Sequence, residues 1–195
     1  MLATPHVKTD KQIWTDEEFM RLPQDGHRYE IVNGELVDMG SAGALHSYLS
    51  TLLSAALVNY CLPKKLGVVL DSSTSFKMKN GNRRSPDMAF FAKERLQGMQ
   101  ELPVGYLEGA PDLAVEILSP GNTVAELEDK ITEYFENGAR LVWVISPTQH
   151  YILVYRCAHE PDRLLKSADV LDGENVIPGF SLPLTELFQP LSFHS

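Results

Sequence analysis

Asp87, Glu116 and Lys130 are the residues whose types and spacing could do chemistry. Asp87 sits in Ser85-Pro86-Asp87-Met88-Ala89-Phe90-Phe91, Glu116 in Leu113-Ala114-Val115-Glu116-Ile117-Leu118, and Lys130 on the segment that follows. An acid inside so apolar a run is costly to bury unless it is paired or binds a metal. Two carboxylates meeting across adjacent strands make an oxygen-donor site for Mg²⁺ or Mn²⁺, hard cations that keep several waters. Such an ion polarises a phosphoryl oxygen and generates hydroxide from bound water. A lysine beside it orients that water or stabilises the charge developing on phosphorus. The chemistry implied is hydrolysis of a phosphodiester, with Asp87 and Glu116 as metal ligands and Lys130 as the third member.

Each of the three also has an ordinary structural reading. Glu116 could be a surface acid on a strand, Asp87 a turn or edge acid, and Lys130 a lysine lying along apolar surface with its amine in water. A second Pro-Asp pair, Pro111-Asp112, opens the strand that carries Glu116; Asp112 reads as a strand-start residue and Asp87 as the ligand.

The elements that must position these residues are legible from periodicity. Thr15 with Glu18 three residues later predicts a capped short helix ending near Leu22-Pro23. Asn33-Gly34 between alternating runs predicts a hairpin in which Val32 faces Glu35 and Glu30 faces Val37. Glu30 and Glu35 then share one side, as a solvated surface or pointing at a basic or metal site. Apolar residues from Leu45 to Tyr60 at three- and four-residue steps predict an amphipathic helix over Ala44–Tyr60, with His46 on the margin of its stripe. Strands are predicted over Gly67–Met78, Arg84–Ala92 and Asp112–Leu118, the last apolar on both faces and therefore central. The stretch Lys93–Gly109 reads as an irregular, partly helical connection. Thr123 and Glu126 form a second capping box, opening a helix to Asn137-Gly138 with Lys130 at the edge of its apolar face. Buried strands follow over Leu141–Ile145 and Tyr151–Tyr155, then turns at Asp172-Gly173 and Pro178-Gly179 and a last helical turn around Leu184–Phe188.

With 195 residues, 44% hydrophobic and 22% charged, the chain is expected to form one domain over residues 1–195 with a substantial core. No run approaches a membrane span and the first residues lack the pattern of an export leader, so a soluble, cytoplasmic protein is expected. Cys61 and Cys157 have no metal-ligand or disulfide pattern and read as reduced packing residues. The formal net charge of −9 argues against nucleic-acid binding through the overall field. Local basic points stand at Lys64-Lys65, Lys77-Met78-Lys79 and Arg83-Arg84; the second and third lie immediately before the first acidic strand, which is suggestive for nucleic acid, though such clusters are commonly just solvated.

The set Tyr29-Glu30-Ile31-Val32-Asn33-Gly34-Glu35-Leu36, His46, Ser85-Pro86-Asp87, Pro111 to Pro120, Lys130 with Tyr134 and Gly138, and Trp143 resembles the Uma-type family of restriction-endonuclease-like proteins, within the PD-(D/E)XK nuclease superfamily. The resemblance covers nearly the whole chain. It implies an α/β fold with a restriction-endonuclease-like αβββαβ core, a mixed central sheet flanked by helices, and an extra N-terminal β-hairpin. In the superfamily motif a lysine stands two residues after the second acid, where this chain has Leu118; the narrower resemblance implies that Lys130 takes that part. It further implies a Mg²⁺- or Mn²⁺-dependent endonuclease, with Asp87 and Glu116 on the metal and Glu30 and His46 as accessory residues. Nucleic acid, DNA first, is the expected partner, and a homodimer could cut two strands across a two-fold axis. The competing class is a non-catalytic binding or scaffolding module that keeps the fold.

Overall fold

Residues 14–22 and 27–191 are described by the computed structural model. The first residues, read above for an export leader, and Pro23 lie outside them. In chain order, the first elements are α1 (Asp16–Met20), β1 (Tyr29–Val32), β2 (Glu35–Asp38), α2 (Ala44–Lys64) and β3 (Gly67–Asp71). Next come β4 (Phe76–Lys77), β5 (Arg83–Arg84), β6 (Met88–Ala92), β7 (Leu107–Glu108) and β8 (Leu113–Ile117). The chain continues through α3 (Val124–Glu136), β9 (Leu141–Ser146), β10 (Tyr151–Tyr155) and β11 (Arg163–Lys166). It ends with β12 (Val170–Asp172), β13 (Ser181–Pro183) and α4 (Leu184–Leu187).

Six strands form the central sheet in the order β11-β10-β9-β8-β6-β3. Every pairing in it is antiparallel except β8 with β9, which run parallel and are joined through α3. The run α2, β3, β6, β8, α3, β9 is the αβββαβ order expected, on a mixed sheet. Both strands of the parallel pair are buried along their length, because each face of the sheet is covered. On one face Leu49, Leu53, Leu57 and Cys61 of α2 pack against Met88, Phe90, Val115, Trp143 and the C-terminal segment. On the other, Ile131 and Tyr134 of α3 pack against Ala89, Ala114, Val142 and Val144. Asp87, Glu116 and Lys130 belong to this second side.

Two strand predictions divide. The run Gly67–Met78 splits into β3 and β4, and Arg84–Ala92 into β5 and β6; in each case the halves join different sheets. The smaller sheet has the order β2-β1-β5-β4-β7 and takes in the N-terminal hairpin. That hairpin has the predicted register, Glu30 opposite Val37 and Val32 opposite Glu35, with Asn33 and Gly34 both at positive φ as its tight turn demands. Between the two sheets the chain bends at Ser85-Pro86-Asp87, since proline cannot continue a hydrogen-bonded ladder. Asp87 therefore stands at a strand entrance rather than within a strand.

Both capping boxes form: Thr15 with Glu18, and Thr123 with Glu126. The helix α2 runs one turn further than predicted, to Lys64, and closes on Lys65 in the left-handed conformation. Within Lys93–Gly109 lie a 3₁₀ turn over Lys93–Leu96 and the short β7. No helix among the described residues is long and apolar enough to cross a membrane.

Candidate active site

The pairing of β6 with β8 sets Met88 opposite Val115; one step further, the same register sets Asp87 opposite Glu116. The Asp87 carboxylate closes this end of the pair by accepting the Ile117 backbone N–H at 2.7 Å on Oδ2. His46, in the first turn of α2, approaches the same oxygen with Nε2 at 3.0 Å. Arg28, just before β1, pairs with Oδ1. Asp87 and His46 are both buried.

Glu116 accepts the Tyr134 hydroxyl at 2.6 Å, and Lys130 Nζ lies 3.3 Å from its Oε2. Lys130 stands fourteen residues beyond Glu116, and the first turns of α3 carry it back over the carboxylate. Its amine is also 3.0 Å from Glu30 Oε1. Glu30 is the most buried of the acids, 1% exposed, and accepts Arg84 Nη1 at 3.0 Å and the Ser85 N–H at 3.1 Å. Glu35, on the same side of the hairpin, is exposed near the turn. The two acids thus have different fates, because only Glu30 lies under α3.

Behind Glu30 the network continues into residues that pattern reading did not assign to the site. Arg84 Nε pairs with Glu133, whose other oxygen accepts Asn80 and Asn82 side-chain N–H groups at 2.7 and 2.6 Å. Arg84 therefore lies clamped between two carboxylates. Arg83 is buried too, paired with Asp16 and set 4.9 Å over the Tyr106 ring. The Arg83-Arg84 pair is not a solvated basic cluster; its consecutive cations carry two networks, that of Arg84 buried and that of Arg83 partly buried. Arg28 and Glu133 had no signal beyond being charged residues in or beside apolar stretches, whereas Arg84 was marked as half of a basic pair before the first acidic strand. Tyr134 carried one, standing four residues after Lys130 on the same helix face.

Asp112 is buried at the opposite end of β8. It accepts the Ala92 N–H at 2.9 Å and faces Arg95 and Arg140 at 3.6 and 3.7 Å. It ties the strand start down and takes no part in the site.

Glu30, His46, Asp87, Glu116 and Lys130 all line one cleft of about 570 Å³. Its walls are the hairpin, the loop Gly40–Gly43 before α2 and the loop Leu118–Thr123 before α3. Burial alone would raise the Asp87 carboxyl, but hydrogen bonding from His46 and the Arg28 charge hold it below the usual carboxylate range. Glu30 is lowered in the same way, burial being outweighed by the charges of Lys130 and Arg84 and by the Ser85 N–H. Lys130 goes up despite burial, held protonated by Glu116 and Glu30. Glu116 also goes up: burial pushes it, Asp87 and Glu30 add like charge, and Lys130 is shared with Glu30 and does not cancel them.

A family model described as "Putative restriction endonuclease", Uma2, matches residues 16–185. Among solved structures the fold is similar to the crystal structure of "a putative nuclease belonging to DUF820 from Anabaena variabilis", with a TM-score of 0.77 and 20% sequence identity. That match covers 90% of this chain and 97% of the other. No curated protein matches the sequence. Spanning all but the ends of the chain, the family match agrees with the core seen here, and the chain belongs to the Uma2 family of restriction-endonuclease-like proteins.

Proposed function

We propose that the protein is a divalent-metal-dependent nuclease that hydrolyses phosphodiester bonds of nucleic acid in this cleft. The observation that carries the reading is the convergence of Lys130 on Glu116, at 3.3 Å, beside an Asp87 that the strand register sets opposite. The family description and the nuclease named for the similar structure support it.

Among the described residues no group of three or more His, Cys, Asp or Glu is arranged to hold an ion, so a closed protein cage is not the design. Mg²⁺ and Mn²⁺ do not need one: one or two carboxylates with waters and substrate phosphate suffice. Asp87 and Glu116 offer those oxygens at a cleft with room for waters. They would hold the ion, which when bound supplies Lewis-acid polarisation of the phosphate and a hydroxide nucleophile at neutral pH. Lys130, kept protonated, orients water or meets charge developing on the phosphate. Tyr134 fixes the Glu116 carboxylate, His46 fixes Asp87, and Glu30 with Arg84 holds Lys130 in place. A homodimer would cut one strand per subunit.

One alternative draws on specific observations. The −9 charge and the internal pairing of Arg83 and Arg84 leave that basic pair unavailable to nucleic acid, which suits a scaffolding module that has kept the fold. Nicking of a supercoiled plasmid, with Mn²⁺ or Mg²⁺, separates the two. Wild type should nick, and Asp87→Asn and Glu116→Gln should each lose about a hundred-fold in rate. Nicking that survives both changes, or none by wild type on DNA or RNA, would overturn the nuclease reading.

A further inference from the structure

Asp87 has three partners, and they differ in how firmly they are held. The Ile117 N–H belongs to the central strand β8. His46 belongs to α2, and its side chain is only 9% exposed. Arg28 lies outside regular structure, its side chain is 21% exposed, and it lines the cleft. Its Nε–H is buried without a hydrogen-bond partner. A guanidinium that makes one ion pair and leaves a buried donor unused is incompletely satisfied.

The other permanent cations on the cleft are in a different position. Arg84 sits between Glu30 and Glu133, and Lys130 between Glu30 and Glu116. Each would have to break two buried ion pairs at once to turn to a substrate. Arg28 has one pair to break, and Asp87 would keep His46 and Ile117.

Arg28 also occupies the oxygen of Asp87 that its other partners leave open. A cation bound there and a guanidinium on the same carboxylate oxygen repel each other at a few ångströms, where Coulomb energies are large. We propose that Arg28 is a substrate-phosphate ligand parked on Asp87, which gives up that carboxylate when a divalent cation takes it and turns its Nε and Nη groups to a nucleic-acid phosphate. A phosphodiester offers the paired oxygens that the guanidinium fork matches, and would satisfy the unused Nε–H. The proposal rests on the reading of Asp87 and Glu116 as metal ligands.

The signature is a pair of effects with opposite sign, read without catalysis. In Mn²⁺ titrations of the full chain by calorimetry, Arg28→Gln should bind the ion about ten-fold tighter than wild type, the competing charge being gone. In Ca²⁺, fluorescein-labelled DNA and RNA oligonucleotides followed by anisotropy should bind Arg28→Gln about ten-fold more weakly. Arg28→Lys keeps the charge and loses the fork: its Mn²⁺ affinity should stay near wild type while oligonucleotide binding still falls. It carries the comparison if the glutamine variant fails to fold. A purely structural role would weaken both kinds of binding together and overturn the proposal. So would equal Mn²⁺ affinity in wild type and Arg28→Gln, which leaves the metal-ligand reading intact. No Mn²⁺ uptake by either protein removes that reading and the proposal with it.

Discussion

Lys130 is buried against two carboxylates, so removing its charge should cost far more than losing a surface lysine. Lys130→Met leaves Glu116 with Tyr134 alone and Glu30 with Arg84 and Ser85. Breaking a buried pair from one side costs about 3 to 5 kcal/mol, and denaturant unfolding should read a loss of that order. The double variant Lys130→Met with Glu116→Gln should recover part of it; an additive result would mean that the two do not interact. The carboxylates also set an unusual pH dependence. Glu116 is raised, so the folded state binds its proton more tightly, and stability should rise as pH falls from neutral towards the ordinary 4.5. Glu30 and Asp87 are lowered, so their contribution is full above their ordinary values and is lost as pH falls further. Unfolding midpoints across that range should pass through a maximum on the acid side of neutral. Glu116→Gln should remove the upper limb and leave the lower; a profile that keeps both would refute the assignment.

At the scale of elements, α3 delivers the lysine, and its phase depends on where it starts. Thr123 caps it by accepting the Glu126 N–H at 3.2 Å, while the Glu126 carboxylate returns to the Thr123 N–H at 3.0 Å. Thr123→Ala should cost about 1 kcal/mol. Because that loop is a wall of the cleft, the same change should lower nicking activity more than a matched destabilisation placed in α1. A variant such as Thr15→Ala, which breaks the other capping box outside the cleft lining, is the control. Equal effects on activity would show that the α3 cap serves stability only. The division of each predicted strand across two sheets belongs to this scale as well. Within Gly67–Met78 the polar cluster Asp71-Ser72-Ser73-Thr74-Ser75 marks the break, Asp71 accepting the Ser73 N–H at 3.0 Å in a turn, and the single predicted strand runs through it. In the following run Pro86 marks the break, and the site residue stands beside it.

For the whole molecule, net charge and site geometry make opposite demands. With −9 overall and the cleft's own cations Arg28, Arg84 and Lys130 already paired with carboxylates, few cations at the cleft are left to replace counterions on nucleic acid. Binding in Ca²⁺ should therefore show a shallow salt dependence, a slope of about −1 to −2 in log affinity against log salt, for one or two phosphate contacts. A slope several times steeper would reveal a basic surface formed by assembly of several chains. Binding should also require the divalent ion, which offsets the repulsion that the carboxylates lining the cleft (Glu30, Asp38, Asp87, Glu116, Glu126 and Asp129) would impose on a phosphate.

The sequence by itself determined the αβββαβ order, the hairpin register, both capping boxes and the candidates Asp87, Glu116 and Lys130. These follow from local periodicity and from the cost of burying an acid in an apolar run, both read within a few neighbouring residues. It also left Asp112 as a strand-start residue, which its contacts now account for. Only the tertiary structure decided that Lys130 reaches Glu116 and that Glu30 is buried while Glu35 is not. It alone brought Arg28, Arg84, Glu133 and Tyr134 into the same network. Those pairings join β1, β5, β8 and α3 across long stretches of chain, Glu30 of β1 meeting Arg84 of β5 and Lys130 of α3. No periodicity encodes a contact between elements; the packing of one sheet against another sets which charges are forced together, and electrostatics then decides which of them stay.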